Sequence, residues 1–279
     1  YSLTAGGGSG TKTLGGDVAV VGDFTIDADV TFDVSSISDY SVSIEGALEN
    51  NGTFSAQEGT VTFNGFDNQV FTPGSSSYYN ITLNNSGGDE KTLVIADDLV
   101  IDNDLTLTNG TLNLNSNDPA ISIGGDLAIA DGAVWTKGDE TVTFDGATQL
   151  LSDANTVSNN LGDALIDCDI LTVATNATVT SVQILSGTRA TINPSVSFTV
   201  NGALTITGEL EMTDGSVVDA GGDVTVTAAG TLDMDGTSRL KMERDLSFSG
   251  ILEASNTSRI DLDGDTEQTI SGTPSTNPT

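Results

Sequence analysis

The chain has no histidine, one cysteine, one tryptophan and only eight lysine and arginine residues among 279. Without histidine it lacks the commonest general base and the commonest transition-metal ligand, which removes most hydrolase and zinc-site chemistry. The single Cys168 excludes a disulfide within the chain, and its setting DALIDCDILTV reads as a small buried apolar residue rather than a nucleophile. No run of 18 or more apolar residues occurs, so the sequence offers no transmembrane helix and no membrane insertion. The eight basic residues face 40 acidic ones, a net charge of −32, which repels nucleic acid and favours cations or a high-salt medium. The start at Tyr1 without an apolar leader fits a secreted protein whose signal has been removed, and a trimmed segment would begin the same way.

What fills the chain instead is Gly, Thr, Ser, Asn and Asp around short alternating apolar phrases, the composition of many short strands and tight turns. In the carboxy-terminal third, Asn201 to Gly221, Gly222 to Glu243 and Arg244 to Gly264 each hold three such phrases at a spacing of about 20 to 22 residues. A period of two turns one set of side chains inward: Leu204, Ile206, Leu210, Met212, Val224, Val226, Leu232, Met234, Leu246, Phe248 and Leu252. Thr205, Thr207, Glu209, Glu211, Thr225, Thr227, Asp233, Ser247 and Glu253 then face solvent. Recurrence of one three-phrase unit at a short fixed period distinguishes a solenoid from a hairpin sandwich. The fold class expected is therefore all-β, a single-stranded parallel β-helix (β-solenoid) with about three short strands per coil of roughly 20–22 residues. Residues 1–279 would form one elongated domain of roughly 12 or 13 coils, about 60 Å long at about 4.8 Å per coil.

A longer phrase lies over this period. Thr60 to Leu83 reads TVTFNGFDNQVFTPGSSSYYNITL and Thr141 to Ile166 reads TVTFDGATQLLSDANTVSNNLGDALI. A third copy, SRIDLDGDTEQTISGTPSTNPT, starts at Ser258 and runs to Thr279. Its last residues followed by Tyr1-Ser2-Leu3-Thr4 align with TPGSSSY followed by Tyr79-Asn80-Ile81-Thr82. The marker intervals, about 81 and 117 residues, suggest units that gained or lost whole rungs. The loops Pro73 to Ser77 and Asp153 to Gly162 read as lateral excursions. Tyr1, Ser2, Leu3, Thr4, Thr273, Pro274 and Thr279 are the assembly candidates, with segments 1–14 and 272–279 in contacts between copies.

The phrases VTFNGFDNQVFTPGSSSYYNITLNNSGG, DLTLTNGTLNLN and GGDLAIADGAVW resemble the repeat units of large prokaryotic surface proteins built as parallel β-helices, adhesin-like in style. The resemblance implies a repeat-rich solenoid with an extracellular or cell-surface place, and it carries no catalytic residue. The function expected is that of a structural, non-enzymatic subunit that assembles head to tail into a filament, sheath or surface layer. Its partners would be other copies of itself and cell-surface glycans. The alternative is a segment of a very long adhesin stalk.

No cofactor is required, and calcium is the ion this residue set admits. Asp261, Asp263 and Asp265 are its best candidates, against a reading of solvated turn carboxylates. Arg239, Lys241, Arg244 and Arg259 form a modest basic cluster, an acceptor for a neighbour's acidic face or simple charge balance. A glycan-active enzyme would pair carboxylates across a cleft, usually with aromatic platforms that one Trp does not supply. Thr205/Thr207, Thr225/Thr227 and Ser247/Ser249 suggest the hydroxyl ladder of an ice-binding face, interrupted at Ala128/Ala130.

Overall fold

Alternating apolar residues on strands of two to six residues cannot be buried by one strand alone, so each must stack on its equivalent one turn away. The computed structural model describes residues 1–87, 91–255 and 257–273. In it the chain is an all-β parallel β-solenoid of about 12 turns, with strands stacked about 22 residues apart. Among the described residues no helix is long and apolar enough to cross a membrane. The chain divides into two compact units, Tyr1–Glu140 and Thr141–Thr279. Each has three faces, visited in turn by the chain.

In the first unit one face stacks Leu3–Ala5, Phe24–Ile26, Leu48–Asn50, Gln69–Thr72, Thr92–Ile95, Thr111–Asn113 and Val134–Thr136. A second runs through Gly10–Thr13, Val30–Asp33 and Thr53–Ser55, and Ser77–Tyr78 lies against its end. There the amide of Phe54 donates to the hydroxyl of Ser76 at 2.9 Å, a side chain taking a backbone partner's place. The third stacks Val18–Val20, Val42–Ile44, Thr60–Phe63, Asn80–Asn84, Leu105–Asn109 and Leu127–Ile129. The core of this unit holds a run of rings, Phe24, Phe32, Phe54, Tyr78, Phe71 and Phe63, whose successive centroids lie 4.8 to 5.8 Å apart. Buried Asn50 closes the Pro73 loop: its amide donates to Pro73 O at 2.9 Å, Ser76 Oγ at 3.0 Å and Tyr78 Oη at 3.3 Å.

The second unit follows the same three-face path. Its Leu204 face holds Thr141–Phe144, Asp163–Ile166, Ser181–Ile184, Leu204–Ile206, Val224–Val226, Leu246–Phe248 and Ile270–Gly272. Its Leu210 face holds Thr148–Asp153, Ile170–Val173, Arg189–Ile192, Glu209–Met212, Thr231–Met234 and Ile251–Ala254. Its Arg239 face holds Ala177–Val179, Ser197–Val200, Val217–Ala220, Arg239–Met242 and Arg259–Leu262. Inward columns run without a slip, as in Ala177, Phe198, Val218, Leu240 and Ile260. The expected inward residues from Leu204 to Phe248 are all buried, and Leu252 is only half-buried because it belongs to the last turn. The Asp153 to Gly162 loop is pinned by buried Asp153, and its Asn160 rejoins the ladder opposite Thr178. The two carboxylate oxygens of Asp153 accept from the amides of Asn155 at 3.0 Å and Asn159 at 2.6 Å.

Much of the acidic excess is placed by this architecture. Corner aspartates accept the backbone N–H of the chain one turn later: Ser41 on Asp17, Ala47 on Asp23, Ala120 on Asp98, Asp126 on Asp104, Thr237 on Asp214, Asp245 on Asp223 and Thr269 on Asp245, at 2.8 to 3.2 Å. A carboxylate is a strong acceptor for an N–H that leaves the ladder at a corner. The Thr237 hydroxyl and amide hold the Asp214 carboxyl below its ordinary value.

Candidate functional site

The recurring marker phrase builds a corner. In the first unit, Gln69 is buried between Thr60–Phe63 and the next face. Its amide donates to Ile44 O at 2.9 Å and Gly46 O at 2.7 Å on the preceding turn, and its oxygen accepts from Gly65 N at 3.4 Å. Gln149 accepts from the glycine of its own corner in the same way, Gly146 N at 3.0 Å. Gln268 repeats it whole, with Met242 O at 2.7 Å, Arg244 O at 3.1 Å and Gly264 N at 3.3 Å. The glycines before Gln69 and Gln268 are required by space, because a Cβ on Gly65 would strike Glu45 O and one on Gly264 would strike Glu243 O.

The three copies do not mark a superrepeat of whole rungs. In the second unit the Thr141 copy turns from the Leu204 face to the Leu210 face, and the Ser258 copy turns from the Arg239 face to the Leu204 face. The interval is one face short of six turns. A glutamine staple satisfies backbone groups at any corner, so the phrase is free to move between corners.

Both internal copies are completed by a strand that stacks on the marker strand one turn later. Asn80, Ile81, Thr82 and Leu83 lie opposite Thr60, Val61, Thr62 and Phe63. Asp163, Ala164, Leu165 and Ile166 lie opposite Thr141, Val142, Thr143 and Phe144. Under that cover the inward residues Val61, Phe63, Val142 and Phe144 are at most 2% exposed. In the third copy, Arg259–Leu262 is the last strand described on its face, and Leu262 is 47% exposed. Ile270 on the neighbouring strand is 61% exposed. These residues, with Leu246, Phe248, Leu252 and Ile260, line an apolar hollow of about 240 Å³. The last turn thus shows the interior of the solenoid.

Of the assembly candidates, Tyr1 is fully exposed and Ser2 accepts a hydrogen bond from Asp23 N at 3.3 Å. Leu3 lies on the strand Leu3–Ala5, whose other edge pairs with Phe24–Ile26, and Thr4 points outward. Thr273 is exposed, and Pro274 and Thr279 lie outside the described residues. The sequence points to the chain's two end segments and does not single out Ile260, Leu262 and Ile270, which line this hollow. The signal was present, since Ile260 and Leu262 stand where Val61 and Phe63 stand in the first copy.

The calcium candidates separate. Asp261 is held by the guanidinium of Arg239, with Arg239 Nε at 2.9 Å, and by Arg259 Nε at 3.0 Å. These contacts, Arg239 first, keep its carboxyl below the ordinary range. Asp263 and Asp265 sit beyond the strand, beside Glu243 and Arg244. Among the described residues no group of three or more Asp, Glu, Cys or His comes together in a way that could hold a metal ion. Three of the four basic residues are engaged within the chain: Arg239 and Arg259 on Asp261, and Lys241 on Asp219 at 3.5 Å. Glu211, Asp233 and Glu253 stack in register on the Leu210 face. Partial burial and then its neighbours Asp235, Glu253, Glu211 and Glu209 raise the Asp233 carboxyl above its ordinary value. The hydroxyl ladder runs through Thr205, Thr225, Ser247 and Ser271, with Gln183 in the turn before. Cys168 is fully buried, and burial first of all pushes its thiol up to about 11. Comparison with protein-family models, with curated proteins and with solved structures returns no match.

Proposed function

We propose that this chain is a structural subunit of an extracellular surface assembly, and that its last turn is covered by the first turn of a like solenoid. Copies then join head to tail into a filament, sheath or layer. The observation that carries the reading is the contrast between Leu262, 47% exposed, and its covered counterpart Phe63, fully buried at the same place in the same phrase. The extracellular place rests on the likeness of the repeat phrases to those of prokaryotic surface proteins. Stacking by edge-strand addition is directional: one molecule offers its last turn and another its first, so the contact propagates rather than closes.

The magnitudes say what such a joint needs. Covering half-exposed Leu and Ile side chains is worth about 1 to 2 kcal/mol each. Association costs on the order of 4 to 15 kcal/mol in lost freedom. Apolar cover alone does not carry the joint, and the backbone ladders must contribute as well, at about 1 kcal/mol net per hydrogen bond.

The test is sedimentation and negative-stain imaging of the purified chain over a range of concentration, beside Leu262→Asp. Assembly of the parent and its loss in the variant, with strand content by circular dichroism unchanged, supports the reading. A parent that stays monomeric throughout overturns it. The same stacking joined by peptide bonds would make the chain one segment of a long surface stalk. Intact mass of native material separates the two, near 28.5 kDa for the subunit and far larger for the stalk.

A further inference from the structure

We infer that the copy covering the last turn lays its strand Leu3–Ala5 on Arg259–Leu262 with no offset, Leu3 over Ile260 and Ala5 over Leu262. The inference rests on the head-to-tail reading above and adds the register. Two internal joints set it. After the first marker the covering strand presents Ile81 over Val61 and Leu83 over Phe63. After the second it presents Ala164 over Val142 and Ile166 over Phe144. In both, an apolar pair two residues apart covers the apolar pair of the marker strand. Ser2-Leu3-Thr4-Ala5 has that pattern, and Arg259-Ile260-Asp261-Leu262 is the marker strand whose pair remains open.

The direction of the side chains on the covering strand is already fixed. Leu3 lies in column with buried Phe24 and Ala5 with buried Ile26, so both point into the core of their own unit. A slip of one residue would turn Leu3 and Ala5 away from Ile260 and Leu262 and is excluded by the period of two. A slip of two keeps the faces but leaves one of the two apolar residues uncovered. The corner beside the joint is complete before any cover arrives, because Gln268 takes its carbonyl partners from Met242 and Arg244 on the preceding turn. The receiving edge is therefore preformed, and a second copy of this chain is the occupant whose end strand fits it.

Paired cysteines read the register. In the no-offset joint, Ser2 of one copy stands opposite Arg259 of another at the strand spacing of about 4.8 Å, within disulfide reach. Thr4 and Arg259 would be about 8 Å apart, beyond it. The experiment compares Ser2→Cys/Arg259→Cys with Thr4→Cys/Arg259→Cys under mild oxidation, with assembly followed by sedimentation and linkage by non-reducing gels. Linked multimers from the first pair, at least about tenfold more than from the second, support the register. Assembly accompanied by equal or greater linkage of the second pair overturns the register and leaves the head-to-tail reading standing. Absence of assembly in both variants and in the parent overturns the two together.

Discussion

At the residue scale the most consequential side chain is the corner glutamine. Gln69 satisfies two carbonyls of the preceding turn and one amide of its own corner from inside the core. Replacing it by Leu leaves those groups without a partner where water does not reach, at about 1 to 3 kcal/mol for each orphan. Gln69→Leu is expected to speed amide exchange at Gly65 and its neighbours by at least about tenfold, with the rest of the chain unchanged. Asp233 acts in the opposite sense. Its folded-state pKa is raised above the ordinary 3.8, so its charged form weakens the fold at neutral pH. The penalty is relieved as pH falls through the raised value toward 3.8. Asp233→Asn is expected to raise the melting temperature at pH 7 and to lose that advantage near pH 3, as thermal melts across the range would show. For Asp261, whose pKa is lowered, the stability from its arginine partners is present above 3.8 and lost as pH falls below it. A Gln268→Leu melt that is no lower than the parent's would remove the corner glutamine from the account altogether.

At the scale of the element, strands and corners divide what was legible in the sequence from what was not. Strand phrases such as LTIT and VTVT announce their inward columns through alternation, because burial on one face is a local pattern. The corners hold the less visible part. Asp17, Asp23, Asp98, Asp104, Asp223 and Asp245 each stand just before an apolar strand residue, a signal open to view in GGDVAV and RDLSFS. Their partners are amides some 22 to 24 residues away, and that distance hides the interaction from a reading of neighbours in the chain. Acids in turns then resemble ion ligands or solvated charge. The glutamine is visible in the sequence only as one letter of a recurring phrase, because its carbonyl partners lie on the preceding turn. Asp98→Ala is expected to destabilise locally by about 1 to 2 kcal/mol, seen as faster exchange at the Ala120 amide. Asp265→Ala removes a carboxylate that accepts from no such amide among the described residues, and is expected to leave exchange in its unit unchanged.

For the whole molecule, the net charge of −32 sets the conditions under which copies meet. Like-charged subunits repel over a screening length of about 10 Å at 0.1 M salt and about 3 Å at 1 M. Assembly is therefore expected to strengthen steeply as sodium chloride rises over that interval, in light scattering at fixed protein concentration. An assembly that weakens with salt would point instead to a joint held by charge pairs. Calcium offers a second comparison at matched ionic strength, since the engagement of Asp261 by two arginines and the lack of a converging acidic group among the described residues predict that it acts no differently from magnesium.

The direction of the corner contacts has a consequence for how the chain is made. Gln69 reaches back to residues 44 and 46, and Gln268 reaches back to 242 and 244. Each of these two staples is thus completed by chain that has already been synthesised. A chain held by contacts of this direction needs no later residue to close a turn, so each lap supplies the template for the next, like thread laid on a spool.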